Sequence, residues 1–122
     1  MRVADTSALY AFLVETDGHH TKATAALTDP DPIVVPTEIL VETVHLLAYR
    51  FGWDAGRLAL DALLALPHVS LAEKVSFDAV RQVHAVSKGR LSLADAFVVQ
   101  TCRVLGATPM AYDANIVRAS KP

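Results

Sequence analysis

Four short runs, Arg2–Ala4, Ile33–Val35, Val69–Leu71 and Met110–Tyr112, recur along the chain between breaker residues. The breakers are Asp31-Pro32, Pro36, Pro67-His68 and the stretch from Gly106 to Pro109. Each run is too short for a helix and suits a strand covered on both faces, which need not alternate apolar with polar. Helical periodicity fills the intervals. One stretch begins at Ser7 with Leu9, Phe12 and Leu13, and an alanine-rich one runs from about His20 to Leu27. Thr37 to Phe51 sets Leu40, Val44, Leu47 and Phe51 on one stripe, and Asp54 to Leu66, Phe77 to Val86 and Ser92 to Leu105 follow the same rule. Gly52, Gly89 and Gly106 fall at helix ends. Strands alternating with helices predict an α/β sandwich around a mostly parallel sheet of four short strands, or five if the tail supplies one. The tail, Asn115 to Pro122, leaves little room for a fifth.

A chain of 122 residues, 52% of them hydrophobic, suits one domain over residues 1–122 with a single core, and excludes disorder for most of its length. The longest apolar run, Ala8 to Val14, is far short of the ~20 residues a membrane span needs, so no membrane association is expected. Asp5 interrupts any secretory apolar stretch, and a lone Cys102 permits neither an internal disulfide nor a zinc ribbon. The expectation is a cytoplasmic protein. A net charge of −2 does not by itself advertise nucleic-acid binding.

Most of the carboxylates sit in turns or on polar helix faces, among them Asp17, Asp29, Asp31, Asp54, Asp61, Glu73 and Asp78. Four need a reason. Asp5 and Asp113 close the first and last runs, and ligands of open parallel sheets bind beyond the carboxyl ends of the strands. The plainer reading is that each caps the helix after it. Asp95 stands in Leu93-Ala94-Asp95-Ala96-Phe97-Val98-Val99, where a carboxylate is costly unless paired, hydrogen-bonded or bound to a metal. Ser92 three residues before it offers a capping box instead. Glu42 shares helical spacing with Glu38, His45 and Tyr49, which describes a solvated stripe equally well. If four carboxylates converge, a hard divalent cation must offset their repulsion, and all-oxygen ligation selects Mg²⁺ or Mn²⁺. That chemistry is metal-assisted hydrolysis of a phosphodiester.

The blocks Val3-Ala4-Asp5-Thr6-Ser7-Ala8-Leu9, Pro36 followed six positions later by Glu42, Leu91-Ser92-Leu93-Ala94-Asp95-Ala96 and Ala111-Tyr112-Asp113-Ala114 resemble the PIN-domain ribonucleases, most of all the VapC-type toxins of toxin–antitoxin pairs. The resemblance spans nearly the whole chain. It implies a three-layer α/β/α domain whose acidic cluster binds Mg²⁺ or Mn²⁺ and cleaves RNA. By position it assigns metal ligation to Asp5 and Asp95, with Glu42 and Asp113 completing the set, and it is the reason for choosing Glu42 over Glu38. Thr6 and Ser7 match a hydroxyl pair that could hold a metal-bound water or a substrate phosphate. The implied partners are RNA, a small cognate antitoxin and a second copy in a homodimer. Ala111, where the family often carries Thr or Ser, and the short tail depart from the pattern and bear on the Asp113 end of the site.

An RNA path needs positive charge, and Lys88, Arg90 and Arg118 flank the Asp95 and Asp113 segments. An ordinary solvated surface explains them as well. His19-His20 reads as a helix start beside Asp17-Gly18, and Phe51 and Trp53 as packing at a helix junction. Two rivals to a nuclease remain: a PIN-like module that has lost catalysis and binds proteins, and a phosphatase using Asp5 as nucleophile. The latter lacks a second nearby Asp and a late-strand Lys.

Overall fold

The strands β1 (Arg2–Ala4), β2 (Ile33–Val35), β3 (Val69–Leu71) and β4 (Thr108–Met110) form one sheet in the order β3-β2-β1-β4, with every neighbouring pair parallel. A computed structural model describes residues 1–72 and 74–121; Glu73 and Pro122 lie outside the described residues. The helices are α1 (Thr6–Leu13), α2 (His20–Thr28), α3 (Thr37–Phe51), α4 (Trp53–Leu64), α5 (Phe77–Ser87), α6 (Leu93–Leu105) and α7 (Ala114–Ser120). Val3, Ala4, Ile33, Val34 and Val35 are buried, as strands covered by helices on both faces must be. Leu9, Leu27, Ile39, Leu63, Val98, Val99 and Ile116 complete the core around them. Among the described residues no helix is long and apolar enough to cross a membrane.

Two expectations shift. The last strand lies at Thr108–Met110, two residues earlier than Met110–Tyr112, and it takes in the Pro109 that reads as a breaker. Proline is tolerated there because β4 is an edge strand whose only neighbour is β1. Asp113 therefore does not close a strand but starts a helix, and the tail folds as α7 rather than as a fifth strand. Helix ends match the glycine positions: Gly106 holds a left-handed φ of 63° after α6, a conformation cheap only for glycine.

Helices α3 and α4, joined at Gly52, pack closely at Gly56. A Cβ on Gly56 would stand 2.9 Å from both the Ala48 Cβ and the Val44 carbonyl oxygen. In an open helix, Gly→Ala gains about 1 kcal/mol, whereas overpacking a close contact costs about 1–3 kcal/mol. Gly56→Ala is expected to lose a net ~1 kcal/mol, read as a melting temperature lower by several degrees. A variant melting at or above the parent would show that the two helices do not meet at this point.

Candidate active site

From β1 the chain moves outward to β2 and β3, then crosses back to place β4 on the other side of β1. Strand order reverses at β1, so the crevice beyond the carboxyl ends of β1 and β4 is where such sheets take ligands. Asp5 stands at that crevice. Its amide donates to the carbonyl of Met110, the last residue of β4, at 3.2 Å.

Each acid is set by local structure. Asp5 is 4% exposed and caps α1: Oδ1 accepts from the Ala8 amide at 3.0 Å and from Ser7 Oγ at 2.8 Å, and Oδ2 lies 3.0 Å from the same hydroxyl. Asp95 is the third residue of α6, half-buried, and its Oδ2 accepts from the Ser92 amide at 2.9 Å. Ser92 Oγ accepts in return from the Asp95 amide at 3.0 Å. The capping box and the lining of the crevice thus belong to one residue. Asp113 caps α7, accepting from the Asn115 amide at 2.7 Å. Three carboxylates therefore sit in first turns, where the positive ends of the peptide dipoles favour negative charge. Glu42 caps nothing; it lies exposed in the second turn of α3.

All four line one open groove of about 820 Å³, together with Thr6 and Ser7. Glu38 does not line it. Burial pushes the Asp5 carboxyl upward, hydrogen bonds from Ala8 and Ser7 pull it back, and the nearby carboxylates of Asp95 and Asp113 add to the upward push. Among the described residues no lysine or arginine forms an ion pair with any of the four. Two hydroxyls of the groove residues, Thr6 Oγ1 and Tyr112 OH, are buried without a hydrogen-bond partner among the described residues. Carboxylates with surplus negative charge beside unsatisfied hydroxyls fit a hydrated divalent cation. Among the described residues no three His, Cys, Asp or Glu side chains close around a single point. The fit is therefore to an ion that keeps several waters and takes one or two carboxylates, as Mg²⁺ prefers.

Residues set aside or not reached from the sequence also line the wall, among them Tyr10, His19, Arg50 and Asp17, the last of which reads as a turn residue. His19 stacks on Tyr112 with ring centroids 4.2 Å apart and planes 11° apart, and the Lys22 ammonium lies 5.5 Å from the Tyr112 centroid. Placing Tyr112 after β4 rather than within it frees the ring for this contact. Burial raises the Tyr112 phenol, with Asp5 and Asp17 adding to the effect. Across the groove Arg50 donates to Tyr10 OH at 2.9 Å and lies over the Tyr10 ring, so its charge is held on an aromatic face and not on a carboxylate. Nothing in the periodicity links Tyr10 to Arg50. Lys88, Arg90 and Arg118 do not line the groove. Lys88 occupies the left-handed position that ends α5, and the two arginines line a separate hollow.

A family model described as PIN domain matches residues 2–122. The chain belongs to the PIN-domain family. Among solved structures, the Mycobacterium tuberculosis VapC20 toxin, described as cleaving the sarcin–ricin loop, superposes with a TM-score of 0.81 at 23% identity, covering 100% of this chain and 97% of that one. Rickettsia felis VapBC2, bound to a DNA fragment of its promoter, gives 0.72 at 10% identity, covering 97% and 92%. Among curated proteins none is similar enough in sequence to match. This PIN fold accounts for the parallel sheet with helices on both faces.

The raised Asp5 carboxyl carries a pH signature. Because its folded pKa lies above the ordinary 3.8, the unfolded chain releases this proton first. The stability carried by protonated Asp5 is whole below 3.8 and is lost as pH rises through the folded value. Asp5→Asn removes the charge while leaving an oxygen to accept from Ala8. In chelated buffer, the variant's melting temperature relative to the parent is expected to climb as pH rises from about 3.8, then to level off. A parent that instead gains on the variant with rising pH would contradict the crowding of Asp5.

Proposed function

We propose that the chain, as a single PIN unit over residues 1–122, is a metal-dependent endoribonuclease of VapC type, the toxin of a toxin–antitoxin pair. The observation that carries this reading is the buried Asp5, crowded by Asp95 and Asp113 and unpaired by any basic side chain among the described residues. Family membership and the fold shared with VapC20, an RNA-cleaving toxin by its description, support it.

In this reading Asp5 and Asp95 hold Mg²⁺ or Mn²⁺, and Glu42 and Asp113 complete the cluster or orient the attacking water. A divalent cation, when bound, supplies Lewis-acid charge and lowers the pKa of water. The protein's own contribution is placement. Ser7 keeps the Asp5 carboxylate in one orientation through its hydroxyl, and the backbone amides at the starts of α1, α6 and α7 keep the three aspartates close despite their repulsion. Thr6, whose hydroxyl has no protein partner among the described residues, is free to bind a water or a phosphate oxygen. Arg50, held by Tyr10, is the one guanidinium lining the groove among the described residues and is available to a substrate phosphate. The same reading assigns a small antitoxin that occludes the groove, a homodimer and a cytoplasmic setting.

Asp5→Asn and Asp95→Asn are each expected to lower metal-dependent RNA cleavage by about 10²-fold or more, since several kcal/mol of charge stabilisation depends on them. Their oxygens still serve the caps, so the fold should survive. Saturating Mn²⁺ is expected to raise the parent's melting temperature, about 2.7 kcal/mol at a hundredfold excess over Kd, and to leave Asp5→Asn unmoved. Full cleavage by either variant would sink the assignment. Absence of any metal-dependent rise in the parent would favour a module that only binds protein.

A further inference from the structure

The turn of α7 that bears Asp113 has a second concavity on its other side. A hollow of about 640 Å³ lies between α5, α6 and α7, lined by Arg90, Arg103, Arg118, Gln82, Gln100 and Asn115 among others, and by no carboxylate among the described residues. None of the three guanidiniums is ion-paired among the described residues. Arg103 is braced against α7 by donating to the Ala119 carbonyl at 3.1 and 2.8 Å, and Arg118 by donating to Asn115 Oδ1 at 2.6 Å. Arg90 joins this network through its carbonyl, which accepts from Asn115 Nδ2 at 3.5 Å. Three like charges around one concave space repel unless an anion joins them, and guanidinium forks with amide donors match phosphate oxygens.

Asn115 ties this hollow to the acidic groove. Asn115 lines the hollow, and its backbone amide donates to the Asp113 carboxylate on the groove side. One helix of about 10 Å diameter separates the two. We propose that the hollow holds a backbone phosphate of the RNA a few nucleotides from the bond cut in the groove. This rests on the ribonuclease reading of the acids. A strand drawn past five carboxylates, Asp17 among them, needs cationic holds beside them, and among the described residues the groove offers only Arg50. An acidic peptide would gain nothing from the adjoining groove.

The test uses the full chain with cleavage blocked by Asp95→Asn, and the anisotropy of a fluorescein-labelled oligouridylate titrated over a range of salt. Adding Arg90→Gln and Arg118→Gln is expected to weaken binding about tenfold and to flatten the plot of log affinity against log salt by about 0.7 for each phosphate hold lost. Arg90→Lys with Arg118→Lys should restore the slope, since charge and not fork geometry sets it. Arg57→Gln, on α4, should change neither. Unaltered affinity and slope in the double glutamine variant would overturn the proposal. So would weakened binding of a labelled oligoglutamate with RNA binding intact. The two readings separate in the cleaving protein. If Asp5→Asn abolishes cleavage while the arginine variants bind normally, only the hollow falls. If the arginine variants lose affinity while Asp5→Asn still cleaves, the hollow stands and the acids lose their role.

Discussion

The structure turns on one crowded charge. Asp5 is fixed by the end of the central strand β1, nearly sealed from water, and flanked by two more carboxylates arriving from α6 and α7. Nothing cationic among the described side chains answers it. The protein keeps such an arrangement because each aspartate also does a structural task. One caps α1, one closes the capping box of α6 and one caps α7, and the amides at those helix starts offset part of the repulsion. The amides leave the rest of that repulsion in the groove.

Much of this is legible in the sequence, for identifiable reasons. Strands of three residues bounded by proline, aspartate or glycine, with helical stripes between them, leave few folds other than a parallel sheet with helices on both faces. Asp95 is conspicuous because its neighbours are apolar, and Asp5 because it follows a strand. Glu42 is different: its spacing describes a solvated stripe, and residue pattern alone does not separate it from Glu38. The resemblance to the PIN domain makes that choice, and the groove contains Glu42 and not Glu38.

The parts that escape sequence reading are those made by tertiary contact. Pro109 reads as a breaker unless β4 is known to be an edge. Tyr10 and Arg50 meet across 40 positions, and His19 meets Tyr112 across a still longer separation. Lys88, Arg90 and Arg118, which flank the acids in sequence, do not line the groove. Arg90 and Arg118 face the far side of α7, joined there by Arg103, which only the packing of α6 on α7 brings in. Acids with Arg50 thus line one concavity, and Arg90, Arg103 and Arg118 line its neighbour. A net charge near neutrality conceals both.

The claim on which the account stands is that separate elements bring carboxylates together as a cation site. Diffraction from a crystal soaked in Mn²⁺, recorded for its anomalous signal, tests this most directly. The account predicts density for an ion in the crevice beyond β1 and β4, with a carboxylate oxygen of Asp5 among its ligands and waters filling the remainder. A groove that stays empty at saturating Mn²⁺, with Asp5 contacting only Ser7 and Ala8, would contradict it.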